Sequence, residues 1–407
     1  MTLRQKFGSD WGRLGMTSKW NEVPLRELVG YISKGIAPSY ATEETETTVR
    51  VLNQKCNRNF QINYGDSRLH DTRKKKIPVE RYVKPNDILI NSTGAGTAGR
   101  IARIERVPCA PTIDGHMILI RSNGKVTQKF LGYALKAHQW EVLQLDEGST
   151  GQTELNRDRL LDEIMINYPL SFDEQDVIVD TLESIDRKMI ANEQINDNLE
   201  QQAAALYGKY FPYAITDNLP DGWRIGTVGE IVEIHDSKRI PLSGAQRAKM
   251  EKRIYPYYGA ASLMDYVDEY IFDGKYLLLG EDGTVVDDAG YPILQYVWGR
   301  FWVNNHAHIL TGKLGFNVES LLLLFKRTPV KSIVTGAVQP KISQANLRSI
   351  QVVIPPQSEL NAFNDLICPM FEQIRQNQDQ NKALASLRDA LLPKLMSGEI
   401  DVSNVQL

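Results

Sequence analysis

The sequence predicts an α+β protein: two mixed α/β domains in a pseudo-twofold arrangement, joined by two long helices that form an antiparallel coiled coil. Three observations predict this fold. Four sequence matches run in the same order through both halves of the chain. Each half ends in a long helical segment with apolar residues at heptad spacing. The chain of 407 residues is long enough for two or three domains that each bury a core.

The first three matches define a repeated domain. Along the chain, the matched segments are Trp20–Val29 and Trp223–Val232, then Ile88–Thr97 and Leu277–Thr284 with His116–Ile120 and His306–Leu310, and finally Gln152–Pro169 and Gln339–Pro355. The middle match is an apolar strand entering a glycine-rich turn, followed by a histidine and a second strand. Similarity in a fixed order indicates a duplicated unit. Residues 36–87 and 238–275 share little that can be aligned, so we expect a common frame with divergent inserts.

The fourth match is one long helix in each half. Residues 173–211 lie between Pro169 and Pro212 and would form a rod of roughly 55–60 Å at ~1.5 Å per residue. The second helix runs from Ser358 to Met396, and Pro369 predicts a kink or break in it. Residues of the apolar seam recur at spacings of four and three: Ile178, Leu182, Ile185, Met189, Asn192, Asn196, Leu199 and Leu206, and Phe363, Ile367, Met370, Ile374, Asn377, Asn381, Leu384 and Leu391. We expect the helices to pair with each other, with the asparagines fixing the register; ordinary bundles inside each domain are the alternative.

Composition excludes several classes of protein. The hydrophobic content of 42% and the charged content of 24% are typical of globular proteins. No run approaches the ~20 apolar residues of a membrane span, and the N-terminal residues lack the apolar core of a secretory signal. The three cysteines are far apart in the sequence, which argues against a disulfide framework or a cysteine-rich zinc site. We therefore expect a cytoplasmic protein without membrane contact.

Charge is distributed unevenly along the chain. The net charge is −3, which counts mildly against a simple nucleic-acid binder. However, residues 33–125 are basic overall, and residues 238–253 hold six basic side chains against one acidic side chain. Residues 173–200 show the reverse, with nine carboxylates against two basic residues. Basic stretches are candidate phosphate-binding surfaces, although a charge run is more often only a solvated face.

Motifs for catalysis or cofactor binding are missing or incomplete. Gly94–Gly99 fits the pattern G-x-G-x-x-G, but the alternating residues 100–107 predict a strand where a dinucleotide site needs a helix. A glycine hairpin is therefore the favoured interpretation. The sequence has no phosphate-binding Walker loop, no G-x-S-x-G elbow and no H-E-x-x-H pair. His306 and His308 lack a visible cluster of partner ligands, so we predict no metal site, no cofactor and no catalytic residue.

The candidate binding residues lie in the basic inserts and around the glycine turns. DNA recognition needs cations for phosphates and a few side chains that read base edges. The predicted DNA contacts are Arg58, Arg68, Arg73, Lys74, Lys75, Lys76, Ser92 and Thr93 in the first domain, and Lys238, Arg239, Lys249, Lys252, Arg253, Tyr258 and His306 in the second. The sequence does not separate the residues that read bases from those that hold phosphates.

Three segments resemble a known family. Leu387–Ile400 resembles the C-terminal signature of the specificity subunits of Type I restriction–modification systems. Trp20 with Glu27-Leu28 at the start of the domain, and Pro355–Glu359 before the second helix, fit the same family. The resemblance covers nearly the whole chain from Trp20 onward. One departure is that the first strand-to-helix joint, Tyr168–Gln175, has one proline where the second has two, which affects only the shape of the joint.

The resemblance implies a function and a set of partners. It implies two target-recognition domains that bind double-stranded DNA, joined by an antiparallel coiled coil, and no catalysis by this chain. It also implies assembly with two methyltransferase subunits, which use S-adenosylmethionine to methylate adenine. Restriction subunits that hydrolyse ATP and cut DNA would complete the complex. The absence of nucleotide and methyltransferase motifs agrees with this division of labour.

The expected organisation follows from the repeat and the resemblance together. The predicted segments are an N-terminal extension (1–19), target-recognition domain 1 (20–170), a central long helix (171–212), target-recognition domain 2 (220–356), a C-terminal long helix (357–396) and a tail (397–407). We expect the chain to read a bipartite, asymmetric DNA target for the partner subunits. One alternative is a scaffold with two binding domains that does not bind DNA, and another is an enzyme that uses the glycine turn at Gly94.

Overall fold

The structure is a computed structural model that describes residues 19–94, 96–147, 154–336 and 338–402. Nearly all of the predicted extension 1–19, the end of the tail 397–407, Ala95 of the glycine pattern and the Gln152-Thr153 pair of the third match lie outside the described residues. The chain divides into two compact units. The first unit contains the chain up to Ile190 and from Asn381 onward, and the second contains Ala191–Gln380.

The first unit is a mixture of short strands and helices. Its strands are β1 (Trp20–Pro24), β2 (Val29–Lys34), β3 (Tyr40–Ala41), β4 (Thr48–Leu52), β5 (Asn57–Arg58), β6 (Gln61–Ile62), β7 (Arg68–Asp71), β8 (Ile88–Asn91), β9 (Ile101–Arg103), β10 (Thr112–Ile113), β11 (Met117–Ser122), β12 (Asp146–Glu147), β13 (Glu154–Leu155) and β14 (Met165–Pro169). Its helices are α1 (Gln128–Ala137), α2 (Gln139–Leu143) and α3 (Arg157–Glu163), followed by the long helix α4 (Phe172–Tyr210), whose residues from Ala191 onward belong to the second unit.

The second unit has a similar order of elements. Its strands are β15 (Arg224–Thr227), β16 (Val232–Ile234), β17 (Tyr255–Tyr258), β18 (Leu263–Val267), β19 (Phe272–Asp273), β20 (Tyr276–Gly280), β21 (Leu294–Val297), β22 (Arg300–Val303), β23 (Ala307–Gly312) and β24 (Gln351–Ile354). Its helices are α5 (Val228–Ile231), α6 (Gly244–Ala248), α7 (Val318–Phe325) and α8 (Gln344–Ser349), followed by the long helix α9 (Gln357–Met396), whose residues from Asn381 onward belong to the first unit.

A central antiparallel sheet has the same strand order in both units: β2-β11-β8-β9 in the first and β16-β23-β20-β21 in the second. In β8, Ile88 and Ile90 pack into the core that contains α1, whereas Leu89 faces a second core. Successive side chains of a strand point to opposite faces, so a sheet buried on both faces needs continuous apolar strands. This explains the uninterrupted apolar runs of the middle match.

A second sheet repeats a strand pairing that the sequence does not reveal. In the first unit its order is β10-β4-β7-β3, with β10 parallel and β7 antiparallel to β4. In the second unit its order is β18-β17-β22-β19, with β22 parallel and β18 antiparallel to β17. Segments 36–87 and 238–275 therefore contain strands with equivalent pairing although their side chains do not align. The inserts diverge in sequence more than in backbone arrangement.

The first and last strands of each domain lie side by side. β1 pairs antiparallel with β14, and Trp20 lies opposite Pro169. β15 pairs in the same way with β24, and Arg224 lies opposite Ile354. These two-stranded stems join the segments that the first and third sequence matches aligned.

The glycine pattern forms a turn between two antiparallel strands. Strand β9 follows it and pairs with β8, as the alternating sequence predicted. Gly94 and Gly96 have positive φ angles of 118° and 67°, a region that favours glycine. Because a strand and not a helix follows the turn, the helix N-terminus that would hold a pyrophosphate is absent from this described part of the chain. The structure contradicts a dinucleotide site of the Rossmann type at Gly94.

The long helices pair in opposite directions within the first unit. Arg388 Nη1 donates to Asp186 Oδ1 at 2.9 Å, and Asn381 Nδ2 donates to Met189 O at 3.0 Å. The residue number falls along α9 as it rises along α4, so these two segments are antiparallel.

The same direction holds within the second unit. Asn192 Nδ2 donates to Gln380 Oε1 at 2.8 Å, and Asn377 Nδ2 donates to Asn196 Oδ1 at 2.8 Å. Every residue of the predicted seam is buried or half-buried. The amide groups of the seam asparagines therefore form hydrogen bonds with partners inside each unit.

Helix α9 runs without interruption past Pro369. The predicted break is therefore wrong, and the alternative of a kink at Pro369 stays a prediction. A proline inside a helix removes one backbone hydrogen bond. Phe363, Ile367 and Phe371 lie on either side of it and are buried in the core of the second unit, which offsets that loss. Among the described residues, no helix combines the length and apolar character needed to cross a membrane.

Candidate nucleic-acid interface

A tight turn precedes the long strand of the central sheet in both units. In the Asp114 turn (residues 114–116), Asp114 Oδ1 accepts the backbone N–H of His116 at 2.9 Å. In the Asn304 turn (residues 304–306), Asn304 Oδ1 accepts the backbone N–H of His306 at 2.8 Å. Short polar side chains stabilise turns by such bonds to a backbone group two residues on.

Each of these turns holds a histidine against the end of the neighbouring strand. Nδ1 of His116 lies 2.7 Å from Thr93 Oγ1, and Nδ1 of His306 is hydrogen-bonded to the Asp282 carboxylate. The His116 ring is exposed, and 44% of the His306 side chain is exposed. Both histidines are therefore anchored at one nitrogen and open to solvent.

In the first unit, the basic loop (residues 72–76) reaches the Asp114 turn. Lys75 Nζ donates to Ala37 O at 2.9 Å. The preceding residue, Ile36, forms a β-bridge with Asp114. The lysine run is thereby positioned beside the turn rather than left as a free solvated face.

His70 attaches the same basic loop to strand β3. The ring is fully buried. Its Nδ1 lies 2.9 Å from the Ser39 backbone nitrogen and its Nε2 lies 2.7 Å from Lys75 O. A backbone N–H can only donate, so Nδ1 must accept and Nε2 must carry the proton. The neutral form of His70 therefore holds both segments.

Arg68 lies on the same side of the first unit. Its guanidinium carbon is 5.0 Å from the centroid of the exposed Tyr40 ring, within the range of a cation–π contact. Burial raises the pKa of Asp114, while the His116 N–H and the charges of His116 and Arg68 oppose that rise. Arg68 is thus close enough to act electrostatically on the Asp114 turn.

In the second unit, Arg239 supports the Asn304 turn from inside. Its Nη1 donates to Ala307 O at 2.8 Å and to Asn305 O at 3.2 Å, and it pairs with Glu281 at 2.5 Å. Only 13% of the Arg239 side chain is exposed. Its hydrogen-bonding capacity is largely used within the unit.

A buried ionic cluster lies next to Arg239. Nδ1 of the fully buried His308 lies 2.6 Å from Asp236 Oδ2, and its Nε2 lies 2.8 Å from Ile342 O. Both partners are acceptors, and only a protonated imidazolium can donate to both. Burial alone would raise the pKa values of Asp236 and Glu281, but hydrogen bonds from His308 and Arg239 respectively, with nearby positive charge, lower both below their usual range.

Asp236, Glu281 and His308 also have the side-chain types of a metal site, and their ligand atoms lie within 4.8 Å of one another. Arg239 pairs with both carboxylates, and Lys341 Nζ lies 3.2 Å from Glu281. The chain's own cations therefore already neutralise the carboxylates, and a metal ion would have to displace them.

The predicted contacts fall into groups by exposure. Exposed side chains with no hydrogen-bond or ion-pair partner among the described residues are those of Arg58, Arg68, Lys74, Lys76, Lys238, Lys249 and Lys252. Exposed or half-buried side chains that already make a contact within their unit are those of Arg73 with Asp71, Lys75 with Ala37, Thr93 with His116, Arg253 with Asp265, Tyr258 with Phe301 and His306 with Asp282.

Two predicted contacts need correction. Ser92 is fully buried, and its hydroxyl donates to Gly115 O at 3.4 Å, because the residue continues the buried end of β8. Arg239 is held by Glu281 and by the backbone of the Asn304 turn. Neither side chain offers a free group to DNA in this structure, and both instead shape the turns.

The structure groups some of the remaining residues and separates others. Arg68, Lys75 and Thr93 lie around the Asp114 turn, and Tyr258 and His306 lie around the Asn304 turn, since Asn304 N donates to Tyr258 O at 3.0 Å. Residues 249–253 precede β17, at the other end of that strand from Tyr258. Arg58 lies on β5, which pairs with β6, and its neighbour Asn57 donates to Asn91 Oδ1 at 3.1 Å at the end of β8.

Sequence reasoning missed His116, Asp282, Tyr40 and Lys341. A usable signal was present for His116, because Asp114-Gly115-His116 and Asn304-Asn305-His306 occupy matching places in the two halves. Lys341 forms a β-bridge with Asp282. The two residues are far apart in the sequence, and no local pattern predicts that they pair.

Comparisons with known proteins agree with the resemblance. The family model described as the Type I restriction modification DNA specificity domain matches residues 17–201 and 220–384. The Type I restriction enzyme MjaIX specificity subunit of Methanocaldococcus jannaschii is 24% identical over 423 residues, covering 95% of this chain and 94% of the relative. The Type I restriction enzyme EcoprrI specificity subunit of Escherichia coli is 24% identical over 129 residues, covering 32% of this chain and 31% of the relative.

A solved structure supports the fold. The Type I restriction–modification S subunit from M. genitalium superimposes with a TM-score of 0.57 at 17% identity, covering 94% of this chain and 98% of that one. Both copies of the repeated frame are matched by the family model. The chain therefore belongs to the family of Type I restriction–modification DNA specificity subunits.

Proposed function

We propose that this chain reads a bipartite, asymmetric DNA target and positions methyltransferase and restriction subunits on it. The observation that carries the proposal is the repeated turn. Two copies of one frame present a histidine turn at the same place, with different polar and basic side chains around it. Equivalent frames with different surfaces suit two readers of different half-sites.

In each half-site, cations would hold phosphates while side chains at the turn reach base edges. Lys74, Lys75 and Lys76 are exposed beside the Asp114 turn. Lys238 and Lys341 lie near the Asn304 turn, where Lys341 is 48% exposed. Phosphate contacts fix register, and contacts to base edges in the major groove carry sequence information.

The long helices would set the spacing between the half-sites. Helix α4 has 39 residues, which corresponds to about 58 Å at ~1.5 Å per residue. We propose that α4 and α9 form one antiparallel coiled coil with pseudo-twofold symmetry along their whole length. Such a rod would hold two domains roughly 34–36 Å apart, one turn of DNA, and would leave an unspecific gap between the half-sites.

The acidic faces of the helices would bind protein rather than DNA. Asp173, Asp180 and Glu193 lie along α4, and like charge disfavours the approach of phosphates. We assign this surface to the methyltransferase subunits, two of which would supply S-adenosylmethionine chemistry. Restriction subunits would join the assembled complex. This chain would supply no catalytic group and no cofactor of its own.

Methylome sequencing of a strain with and without this gene tests the proposal. The expected result is the loss of a single two-part adenine-methylation motif when the gene is removed. An unchanged methylome with active partner genes would overturn the proposal and favour a scaffold that does not bind DNA. Replacing residues 20–165 with the first domain of another family member should change one half of the motif and leave the other half intact.

A further inference from the structure

We infer that His116 and His306 are equivalent DNA-contacting residues, one for each half-site, and that Thr93 and Asp282 are the residues that position them. The inference rests on the proposed function. It adds a specific pair of atoms, the Nε2 atoms of the two rings, and a specific pair of supporting side chains.

Backbone register makes the two histidines equivalent. Each precedes the strand of the central sheet by one residue: Met117 lies opposite Asn91, and Ala307 lies opposite Gly280. The backbone oxygen of His116 accepts the Ser92 N–H at 2.8 Å. In the other copy, His306 O accepts the Glu281 N–H at 2.8 Å. The two rings therefore start from the same position in the frame.

The supporting side chains are equivalent as well. Thr93 lies two residues beyond Asn91, and Asp282 lies two residues beyond Gly280. Each side chain bonds Nδ1 of its histidine. The histidine is the same in both copies while its partner has changed from a hydroxyl to a carboxylate. What the two copies share is thus an imidazole held at Nδ1.

The turns themselves do not need the imidazoles. Asp114 and Asn304 close them through the backbone N–H groups of His116 and His306. Nε2 of neither ring has a hydrogen-bond partner among the residues that the structure describes. Each ring is fixed at Nδ1 and exposed at Nε2. Little further side-chain entropy is lost when such a ring binds a ligand, so it is preorganised for binding.

The two partners give the rings different hydrogen-bonding properties. A carboxylate only accepts, so Asp282 requires the proton of His306 to be on Nδ1. Nε2 of the neutral ring is then an acceptor, which matches the amino groups of adenine and cytosine in the major groove. The Thr93 hydroxyl can donate or accept, so His116 Nε2 can take either role. The equivalent position can therefore read different bases in the two half-sites.

His116→Gln and His306→Gln, made separately in the full chain and expressed with the partner methyltransferase genes, test the inference. Methylome sequencing identifies the motif, and a 40-bp duplex carrying that motif is then the binding probe for the purified complex. We expect each variant to weaken recognition by about 5- to 150-fold, the range for one base contact. The two variants should relax opposite halves of the motif.

Matched controls separate contact from folding. Asp273→Asn lies opposite Arg300, at the end of β22 away from the Asn304 turn, and should leave both halves unchanged. His306→Asn provides a second side chain at the same exposed site, and the melting temperature of each variant should match that of the wild type. Retention of the full motif and wild-type affinity within twofold by both glutamine variants would overturn the inference, and so would an effect of both on the same half.

A double-variant cycle tests the positioning role. Asp282→Leu should weaken the same half as His306→Gln, and the double variant should be no weaker than His306→Gln alone, since the carboxylate acts through the ring. Additive losses would overturn the positioning role of Asp282. Failure of the proposed function has a different signature: the wild-type chain would then direct no two-part motif at all.

Discussion

In the first unit, residues 53–67 connect β4 to β7 and include the hairpin of β5 and β6. In the second unit, only residues 259–262 connect the equivalent strands β17 and β18. The outer strands differ too, because β3 extends the sheet beyond β7 in one unit and β19 extends it beyond β22 in the other. Backbone pairing therefore defines the domain, while loop lengths and edge strands vary around it.

The interiors behind the two turns differ in chemistry. The second unit buries His308, Asp236 and Glu281 next to its turn. In the first unit the position equivalent to His308 is Ile118, a fully buried apolar residue. Equivalent backbones are therefore supported by an ionic cluster in one copy and by apolar packing in the other.

The largest expected effect follows from breaking that ionic cluster. Asp236→Ala removes the carboxylate that bonds His308 and the backbone N–H of Ile309. It leaves buried positive charge unpaired, so we expect the free energy of unfolding of the second unit to fall by about 3–5 kcal/mol. Denaturant unfolding measures this loss. Asp273→Ala is the control, because its carboxylate is 56% exposed in a surface pair and should contribute about 0–1 kcal/mol. Equal effects of the two variants would mean that the cluster does not stabilise the unit.

A smaller loss is expected in the helical segment of the second unit. Asn196→Ala removes the oxygen that accepts from Nδ2 of the buried Asn377 at 2.8 Å. An unsatisfied buried polar group costs about 1–3 kcal/mol, and thermal unfolding would report that loss. The exposed Gln376→Ala on the same helix is the control and should change stability by less than about 0.5 kcal/mol. A neutral Asn196→Ala would contradict a structural role for the pair.

Acid should change the stability contributed by one buried carboxyl group of each unit in opposite directions. The pKa of Asp236 is lowered in the folded state, so its stabilisation is complete above its unfolded pKa of about 4 and is lost as the pH falls through the folded pKa. Burial raises the pKa of Asp114, so its ionisation costs stability above about pH 4 and this cost disappears in acid. Melting temperatures from pH 3 to pH 7 should show Asp236→Asn converging on the wild type at low pH.

Asp114→Asn should stabilise the first unit near pH 7 and lose that advantage below about pH 4, because asparagine closes the equivalent turn in the second unit. A pH-independent difference between Asp114→Asn and the wild type would contradict the assigned burial of this carboxyl.

The smallest expected effect concerns the basic segments and distinguishes the two domains as DNA binders. Each phosphate contact contributes about 0.9 to the slope of log affinity against log salt. The double variant of Lys74→Gln with Lys76→Gln should therefore reduce that slope by roughly 2, since both exposed lysines flank Lys75, which bonds Ala37 O. The matched variant of Lys249→Gln with Lys252→Gln should reduce it by less than about 1. Equal reductions would show that the DNA surface extends to the far end of β17.

The sequence predicted the features that local patterns encode. The heptad seam and the glycine turn followed by a strand are read from spacing, and so is the matched histidine before each long strand, although only His306 was named as a contact. Ser92 was misjudged because its exposure depends on how β8 continues against the neighbouring strand and not on its own neighbours in sequence.

The remainder depends on contacts between distant residues. His308 meets Asp236 across 72 positions, and Thr112 of β10 pairs in parallel with the distant Val51 of β4. Neither contact is predicted by any periodic pattern in the sequence. The basic run at Lys74 was visible in the sequence, but its attachment to Ala37 and to His70 was not.

The stems formed by β1 with β14 and by β15 with β24 have a consequence for inheritance. The chain enters and leaves each domain through two adjacent strands. These strands pair through backbone N–H and C=O groups, which depend little on the identity of the side chains. A genetic crossover on both sides of a stem would therefore import a whole domain, which must also fit the long-helix residues that complete its core, such as Ile178 in the first unit and Phe363 in the second. Under the proposed function, such an exchange would change one half of the DNA target and leave the other half unchanged.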